Sequence, residues 1–189
     1  MTLCYLCIDQ ILVKWIVDRL LAEDTGAKLD GLSIPEIAAK REKMHFGGRT
    51  GRAYRLLNSA YYLVTTGTYS CPDGFAAILA QYRAEDYKID QEYRNFYYEF
   101  DQLEDATVFE GLRDLVENIY TNEYLYKLLP KWNAGLQEED SLTKLPVQID
   151  FYARNIRNAR ERTVVIISDA MRYEVGQELF QLLSADPKC

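Results

Sequence analysis

Histidine, cysteine and long hydrophobic runs are scarce in this sequence. Among its 189 residues there is 1 histidine, His45, so the chain cannot by itself build a metal site with several imidazole ligands. Its 4 cysteines are unevenly spaced and do not form the disulfide framework of a small secreted protein, which favours reduced thiols. The apolar start of the chain contains Asp9 and lacks a basic leader, and no apolar run approaches about 18 residues. We therefore expect a cytoplasmic protein without a membrane span or a cleaved signal.

Acidic residues outnumber basic ones, since 29 Asp and Glu against 22 Lys and Arg give a net charge of −7. This balance argues against a chain that wraps nucleic acid or lies on an anionic membrane. Residues 40–55 differ, because they contain six basic side chains and one acidic side chain. Arg49, Arg52 and Arg55 are candidate contacts to nucleic-acid phosphate, although the segment lacks the order of a phosphate-binding P-loop. A solvated basic surface is the interpretation that this pattern favours.

The first third of the chain is predicted to be helical. Apolar residues recur every three or four positions over residues 5–23, which is the spacing of an amphipathic helix. Ser33 and Glu36 form the signature of a capping box, which predicts a second helix that ends near Met44. Three glycines should then break the pattern: Gly47, Gly48 and Gly51. A third helix is predicted from Ala53.

The middle of the chain predicts further helices that pack through aromatic side chains. Asp73 is placed to cap a helix that begins near Phe75. An apolar stripe follows, with steps of three and four residues: Ile89, Tyr93, Phe96, Phe100 and Leu103. Helical spacing predicts that this stripe is buried. Pro130 should end a later helix, and residues 133–146 contain the breakers of a loop or linker.

The pattern changes towards the C-terminus. Residues 163–168, Thr-Val-Val-Ile-Ile-Ser, are typical of a central parallel strand that is buried on both faces. A helix is predicted directly after Asp169, because Met171, Val175 and Leu179 recur at helical spacing. Such a strand needs neighbours, yet no second strand is predicted after it. We therefore expect a mainly α chain, in which a helical region precedes the first strand and helix of an incomplete α/β domain.

Asp169 is the candidate residue with the clearest chemical meaning, because it lies where the strand ends and the helix begins. Ligands bind at this edge of open α/β sheets. A carboxylate held there can coordinate a divalent metal, which binds phosphate oxygens or activates an oxygen nucleophile. A helix N-cap is the alternative role, and spacing alone does not separate the two.

A longer string of residues resembles a known family. Residues 163–178, TVVIISDAMRYEVGQE, resemble the opening of the PglZ domain, in which an apolar strand precedes S-D-A-[LM]-R-Y-E. Further similarity, to the region that precedes this domain in the type A proteins of BREX phage-defence systems, lies at residues 84–90 (AEDYKID), 93–96 (YRNF) and 116–120 (VENIY) and at Trp132. The resemblance extends over most of residues 50–184.

This resemblance implies a member of the alkaline phosphatase superfamily, whose metal-dependent enzymes hydrolyse or transfer phosphoryl groups. Asp169 matches the position of the Asp that binds metal after the first core strand, and zinc, magnesium or manganese is expected in the full-length parent. Arg172 matches the family string and is a candidate neighbour of phosphate, whereas Glu174 is expected to support the helix N-terminus. The nucleophile and the other ligands are expected beyond Cys189, so the resemblance assigns no catalytic residue within this chain.

The leading hypothesis is therefore an internal fragment of a PglZ-like phosphatase or phosphodiesterase from a BREX phage-resistance system. Residues 1–146 would form the helical region, and residues 147–189 the truncated start of the PglZ domain. The fragment alone is expected to be inactive, to bind no metal, and to expose its strand and the apolar face of the following helix. Other BREX subunits are the partners that the resemblance implies, with nucleic acid a weaker candidate and no membrane. The alternative is a helical module whose tyrosine-rich surfaces bind other subunits of a defence complex without catalysis.

Overall fold

The computed structural model describes residues 2–44, 47–137 and 147–187 and is mainly helical. The helices among these residues are α1 (Thr2–Leu21), α2 (Ile34–Glu42), α3 (Gly47–Thr65), α4 (Phe75–Gln81), α5 (Tyr87–Phe100), α6 (Glu110–Asn118), α7 (Tyr126–Leu136) and α8 (Tyr173–Ala185). Two π-helical turns join neighbouring helices, the first at Tyr82–Asp86 and the second at Ile119–Leu125. Shorter helical turns lie at Thr107–Phe109, Gln148–Asp150 and Tyr152–Ile156. The mainly α fold class is confirmed.

A small hairpin connects α1 to α2. Its strands, β1 (Lys28–Leu29) and β2 (Leu32–Ser33), are antiparallel. The two residues between them have positive φ, 51° at Asp30 and 78° at Gly31, as in the type I′ turns that suit two-residue hairpins. The backbone N–H of Ser33 then donates to Glu36 Oε2 at 2.8 Å, so the predicted start of α2 is confirmed.

The core lies around α3, which packs against α1, α2, α5 and α6. Leu57 and Leu63 of α3 are fully buried, together with Ile16 of α1 and Phe96 of α5. Within the aromatic stripe of α5, Ile89 and Phe96 are buried, and the other three members pack half-buried against the core. The prediction that this stripe faces the core is therefore confirmed.

Three local predictions in the helical region are wrong. The glycines at 47, 48 and 51 lie inside α3, because packing of α3 against α2 outweighs their low helix propensity. Asp73 does not cap α4, since Gly74 occupies the N-cap with a φ of 86°, and Asp73 instead accepts a hydrogen bond from Lys131 Nζ at 2.6 Å.

Pro130 lies inside α7, although it was predicted to end that helix. The helix continues because its later residues pack against α4, where the Trp132 and Phe75 ring centroids are 4.9 Å apart. Residues 133–136 therefore extend α7, and residues 138–146 of the predicted loop lie outside the described residues.

The C-terminal segment, residues 147–187, contrasts with the rest of the chain. No strand forms among its described residues, and the predicted strand at 163–168 is unpaired. Val164 is 76% exposed and Ile166 is 87% exposed, as expected for this run without a neighbouring strand. The helix begins at Tyr173 rather than directly after Asp169. Within the described ranges, every helix is too short or too polar to cross a membrane.

Candidate functional site

Asp169 lies in an exposed turn that leads into α8. Its neighbour Ala170 has a φ of 57°, a left-handed conformation that costs a non-glycine residue about 1 kcal/mol. Arg172, with extended backbone, is the N-cap of α8, so Asp169 does not cap that helix. Among the described residues, the Asp169 carboxylate has no hydrogen-bond or ion-pair partner. It is therefore free to bind a ligand.

The donor set around Asp169 is incomplete for a metal centre. No group of three or more His, Cys, Asp or Glu side chains that could hold a metal ion occurs in the described parts of the chain. A catalytic zinc commonly has three protein ligands. Asp169 is thus an exposed carboxylate outside any such group, and a catalytic metal there would need ligands from elsewhere.

The residues that follow this turn face the helical region. The Tyr173 ring packs against two other tyrosine rings, with centroid distances of 5.8 Å to Tyr82 and 5.7 Å to Tyr87. Its hydroxyl donates to the backbone carbonyl of Arg83 at 3.3 Å. The first π turn and the start of α5 thus form a socket for Tyr173, which we call the tyrosine socket.

Glu174 is the most deeply buried side chain of α8, with 2% of its surface exposed. It does lie in the first turn of that helix, as expected, but its nearest cation is on α5, where Arg94 Nε is 3.9 Å from Glu174 Oε1. The same guanidinium donates a hydrogen bond from Nη2 to Glu178 Oε2 at 2.5 Å. Periodicity did not predict this contact, because Arg94 and Glu174 are far apart in sequence.

Arg172 is exposed and lies near Tyr120 on the second π turn. Burial and the nearby carboxylates of Asp90 and Glu174 raise the pKa of Tyr120, and the positive charge of Arg172 opposes this rise. The Arg172 guanidinium therefore lies within electrostatic reach of Tyr120, and Arg172 is also close to Asp169 in sequence.

Many tyrosines are held by carboxylates inside the helical region. Asp90 accepts hydrogen bonds from Tyr82 at 2.6 Å and from Tyr120 at 2.9 Å. Asp86 accepts one from Tyr69 at 2.8 Å, and burial raises the pKa of Asp86. These tyrosine side chains therefore serve internal contacts.

The basic segment predicted as a nucleic-acid contact is largely paired with carboxylates. Arg55 Nε donates to Glu99 Oε1 at 2.5 Å, and Arg55 Nη1 donates to Glu42 at 3.2 Å. Arg52 Nη1 is 3.3 Å from Glu99 Oε2. The side chain of Arg49 lies outside the described part of the structure. Phosphate would therefore have to compete with these carboxylates for Arg52 and Arg55.

A cleft of about 430 Å³ opens beside this pairing. Two arginines, Arg55 and Arg94, line it together with Glu99 and Glu178. The two positive charges are offset by two negative ones, so the cleft has no excess positive charge for an anionic ligand.

Two curated proteins match the chain along nearly its whole length. It is 37% identical, over 97% of the chain, to the alkaline phosphatase-like protein PglZ of Bacillus cereus (strain H3081.97). The chain is PglZ-like. A second match, 28% identical over 97% of the chain, is the alkaline phosphatase-like protein BrxZ of Escherichia coli O9:H4 (strain HS). This PglZ-like chain spans 22% of the first relative and 23% of the second. No family model matches it, and no solved structure matches it significantly.

Proposed function

We propose that this chain is part of a longer PglZ-like protein and covers the junction between a helical region and the start of a phosphatase-type α/β domain. The observation that carries the proposal is the match over 97% of the chain to a relative of which it spans only 22%. The unpaired run at 163–168 supports it, because an apolar run this exposed needs strands that the described residues do not supply.

In this proposal Asp169 supplies one ligand of a divalent metal, zinc, magnesium or manganese. A metal bound there would polarise a phosphoryl oxygen or activate an oxygen nucleophile. Arg172, three residues further on, is the proposed neighbour of phosphate. The nucleophile and the remaining ligands would follow Cys189, and the present chain alone would be inactive because no group of three or more potential metal ligands occurs among its described residues.

The proposed parent is a phosphatase or phosphodiesterase of a BREX phage-resistance system in the cytoplasm, with other subunits of that system as its partners. Binding of nucleic acid through Arg49, Arg52 and Arg55 is a weaker proposal, because Arg52 and Arg55 already pair with Glu99. Affinity for nucleic acid that did not fall with added salt would argue against it.

The variant Asp169→Ala in the longer protein tests the metal proposal. Metal content is measured by mass spectrometry, and hydrolysis is followed with one phosphomonoester and one phosphodiester chromogenic substrate. We expect loss of bound metal and a fall in activity of more than about 100-fold, since even residues behind the ligands cost about 10- to 100-fold. Asp101→Ala, at another exposed aspartate, is the matched control and should change neither. Unchanged metal content and activity in Asp169→Ala would refute the proposal.

The alternative of a non-catalytic interaction module makes the opposite prediction for Asp169→Ala. Its proposed tyrosine-rich surface has limited support, because the most exposed of the tyrosine side chains that the structure describes lie on three different elements: Tyr98 on α5, Tyr126 on α7 and Tyr152 in the turn at Tyr152–Ile156. An open reading frame that stopped at Cys189 would favour this alternative.

A further inference from the structure

The α8 helix has two unlike faces. Glu174 and Glu178, one helical turn apart, face α5. Leu179, Phe180 and Leu183 lie on the other side and are 43%, 66% and 49% exposed. A surface helix ordinarily buries its apolar face and exposes its polar face. Here the polar face is docked and the apolar face is left open, so α8 has room for a second neighbour.

Arg94 is the cation at the docked face. Its Nη2 donates a hydrogen bond to Glu178 Oε2 at 2.5 Å, whereas its Nε lies 3.9 Å from Glu174 Oε1, an ion pair beyond hydrogen-bond distance. Among the described residues, these two buried atoms, Arg94 Nε and Glu174 Oε1, have no hydrogen-bond partner, so the ion pair is the compensation that the structure gives Glu174. Removing the partner of a buried charge is strongly destabilising, because the remaining charge is left without compensation. Glu174 is 2% exposed, so the docked position of α8 depends on Arg94.

The tyrosine socket fixes the same turn of α8 from a second direction. The backbone N–H of Tyr87 bonds to the carbonyl of Tyr82, which is the i to i+5 pattern of a π turn. Tyr82 lies in this turn and Tyr87 directly after it, and both rings contact the Tyr173 ring, tilted in the first case and edge-on in the second. Tyr173 and Glu174 are consecutive, so the first turn of α8 is held at two adjacent residues.

We propose that Arg94, supported by the tyrosine socket, is a positioning residue for Asp169. Three residues separate Asp169 from Tyr173, so fixing the start of α8 fixes the place from which the carboxylate projects. The helical region thereby sets the position of a ligand that belongs to the α/β domain, and the open apolar face of α8 is left to that domain. This inference rests on the proposed role of Asp169 as a metal ligand.

Hydrogen exchange on the 189-residue chain tests the docking itself. Arg94→Ala should lower the protection of the amides of α8 by at least about 10-fold, because opening of the docked helix becomes easier. Arg94→Lys should retain part of the protection, since a cation remains. Arg154→Ala, which removes an arginine from a surface pair with Asp150, is the matched control and should change nothing in α8.

Glu178→Gln provides a milder variant in case Arg94→Ala fails to fold. It removes the shorter of the two ion pairs at a side chain that is 37% exposed, so the buried core stays intact. Far-UV circular dichroism checks that each variant is folded. Full protection of α8 in a folded Arg94→Ala or Glu178→Gln chain would overturn the docking role.

Metal titration of the longer protein tests the positioning role. With Zn²⁺ and Mn²⁺ as probes, Arg94→Ala should weaken metal affinity and lower kcat about 10-fold, the range seen for residues that orient ligands, and Arg94→Lys should recover part of the loss. If Asp169→Ala loses metal but Arg94→Ala and Glu178→Gln bind it as tightly as the unaltered protein, positioning is overturned and the proposed function stands. If Asp169→Ala keeps its metal, the proposed function fails and positioning fails with it, whatever the exchange data show for α8.

Discussion

The helical region and the C-terminal segment differ in how far they bury their apolar side chains. From α1 to α7, helices close their own backbone hydrogen bonds, and their apolar faces meet around α3. Among the described residues of 147–187, Glu174 is the single buried side chain. A helix pairs its backbone groups internally and needs only a neighbouring surface, whereas a central strand needs neighbouring strands to pair its N–H and C=O groups. The chain therefore buries a core from α1 to α7 and stays open where its sequence favours a strand and in the helix that follows it.

The largest expected difference between the two regions comes from one substitution made in each. Phe96→Ala removes a fully buried ring and should lower the free energy of unfolding by about 3–5 kcal/mol. Phe180→Ala removes the same atoms from a side chain that is 66% exposed, and the change should stay within about 0.5 kcal/mol. Urea unfolding followed by circular dichroism measures both. Equal losses would show that the C-terminal segment is as well packed as the core.

Substitution of one glycine in each region tests the same difference in packing, with smaller expected changes in stability. A Cβ on Gly135 of α7 would lie 2.7 Å from Phe75 Cβ, so Gly135→Ala should destabilise the chain by about 1–3 kcal/mol. A Cβ on Gly176 of α8 would meet its nearest atom, Met171 Sδ, at 3.6 Å, which is an ordinary contact. Gly176→Ala should therefore stabilise α8 by about 0.5–1 kcal/mol through helix propensity. Thermal unfolding reports the first effect, and amide exchange in α8 reports the second. A destabilising Gly176→Ala would mean that α8 is closely covered on that side.

The smallest expected effect concerns pH. Glu117 accepts hydrogen bonds from Tyr93 at 2.6 Å and from Tyr97 at 2.7 Å, and these bonds hold its pKa below the ordinary value of 4.5. A lowered pKa in the folded state gives stability that is present above pH 4.5 and is lost as the pH falls through the folded-state pKa. Glu117→Gln should therefore cost about 0.5 kcal/mol at neutral pH, because the site is exposed and screened, and nothing once the carboxylate is protonated.

Urea unfolding of Glu117→Gln at a series of pH values checks this sign. Asp169→Asn is the matched change in the C-terminal segment, where the carboxylate has no partner among the described residues. It should leave the free energy of unfolding unchanged at neutral pH. If Glu117→Gln were still less stable than the unaltered chain at acidic pH, the lost free energy of unfolding would come from the shape of the side chain and not from its charge.

The sequence predicted those parts of the fold that depend on local pattern. The stripe from Ile89 to Phe96 and the capping box at Ser33 need only neighbouring residues, and both are confirmed. Pro130 and Asp73 were misjudged because distant residues decide their roles. Packing of α7 against α4 allows α7 to continue through Pro130, and Asp73 accepts a hydrogen bond from Lys131 instead of capping α4.

The candidate site was predicted in part for the same reason. The change of period between residues 163–168 and α8 predicted that Asp169 precedes a helix, although the helix begins at Tyr173 and not directly after Asp169. The burial of Glu174 did not, because its cation lies on α5 and no local pattern connects the two residues. The tyrosine socket was also missed, since a π turn carries no periodic signal that separates it from an α-helix.

Because of the first π turn, the tyrosine socket also depends on the number of residues between α4 and α5. A π turn holds one residue more than the α-helical turn it replaces. Deleting one residue within Tyr82–Asp86 would allow α4 and α5 to merge into a regular helix and would remove the widened turn from which Tyr82 and the Arg83 carbonyl contact Tyr173. These contacts would then change, although no side chain of the socket had been replaced. Single-residue deletions in this turn therefore probe the alignment of α8 in a way that substitutions do not.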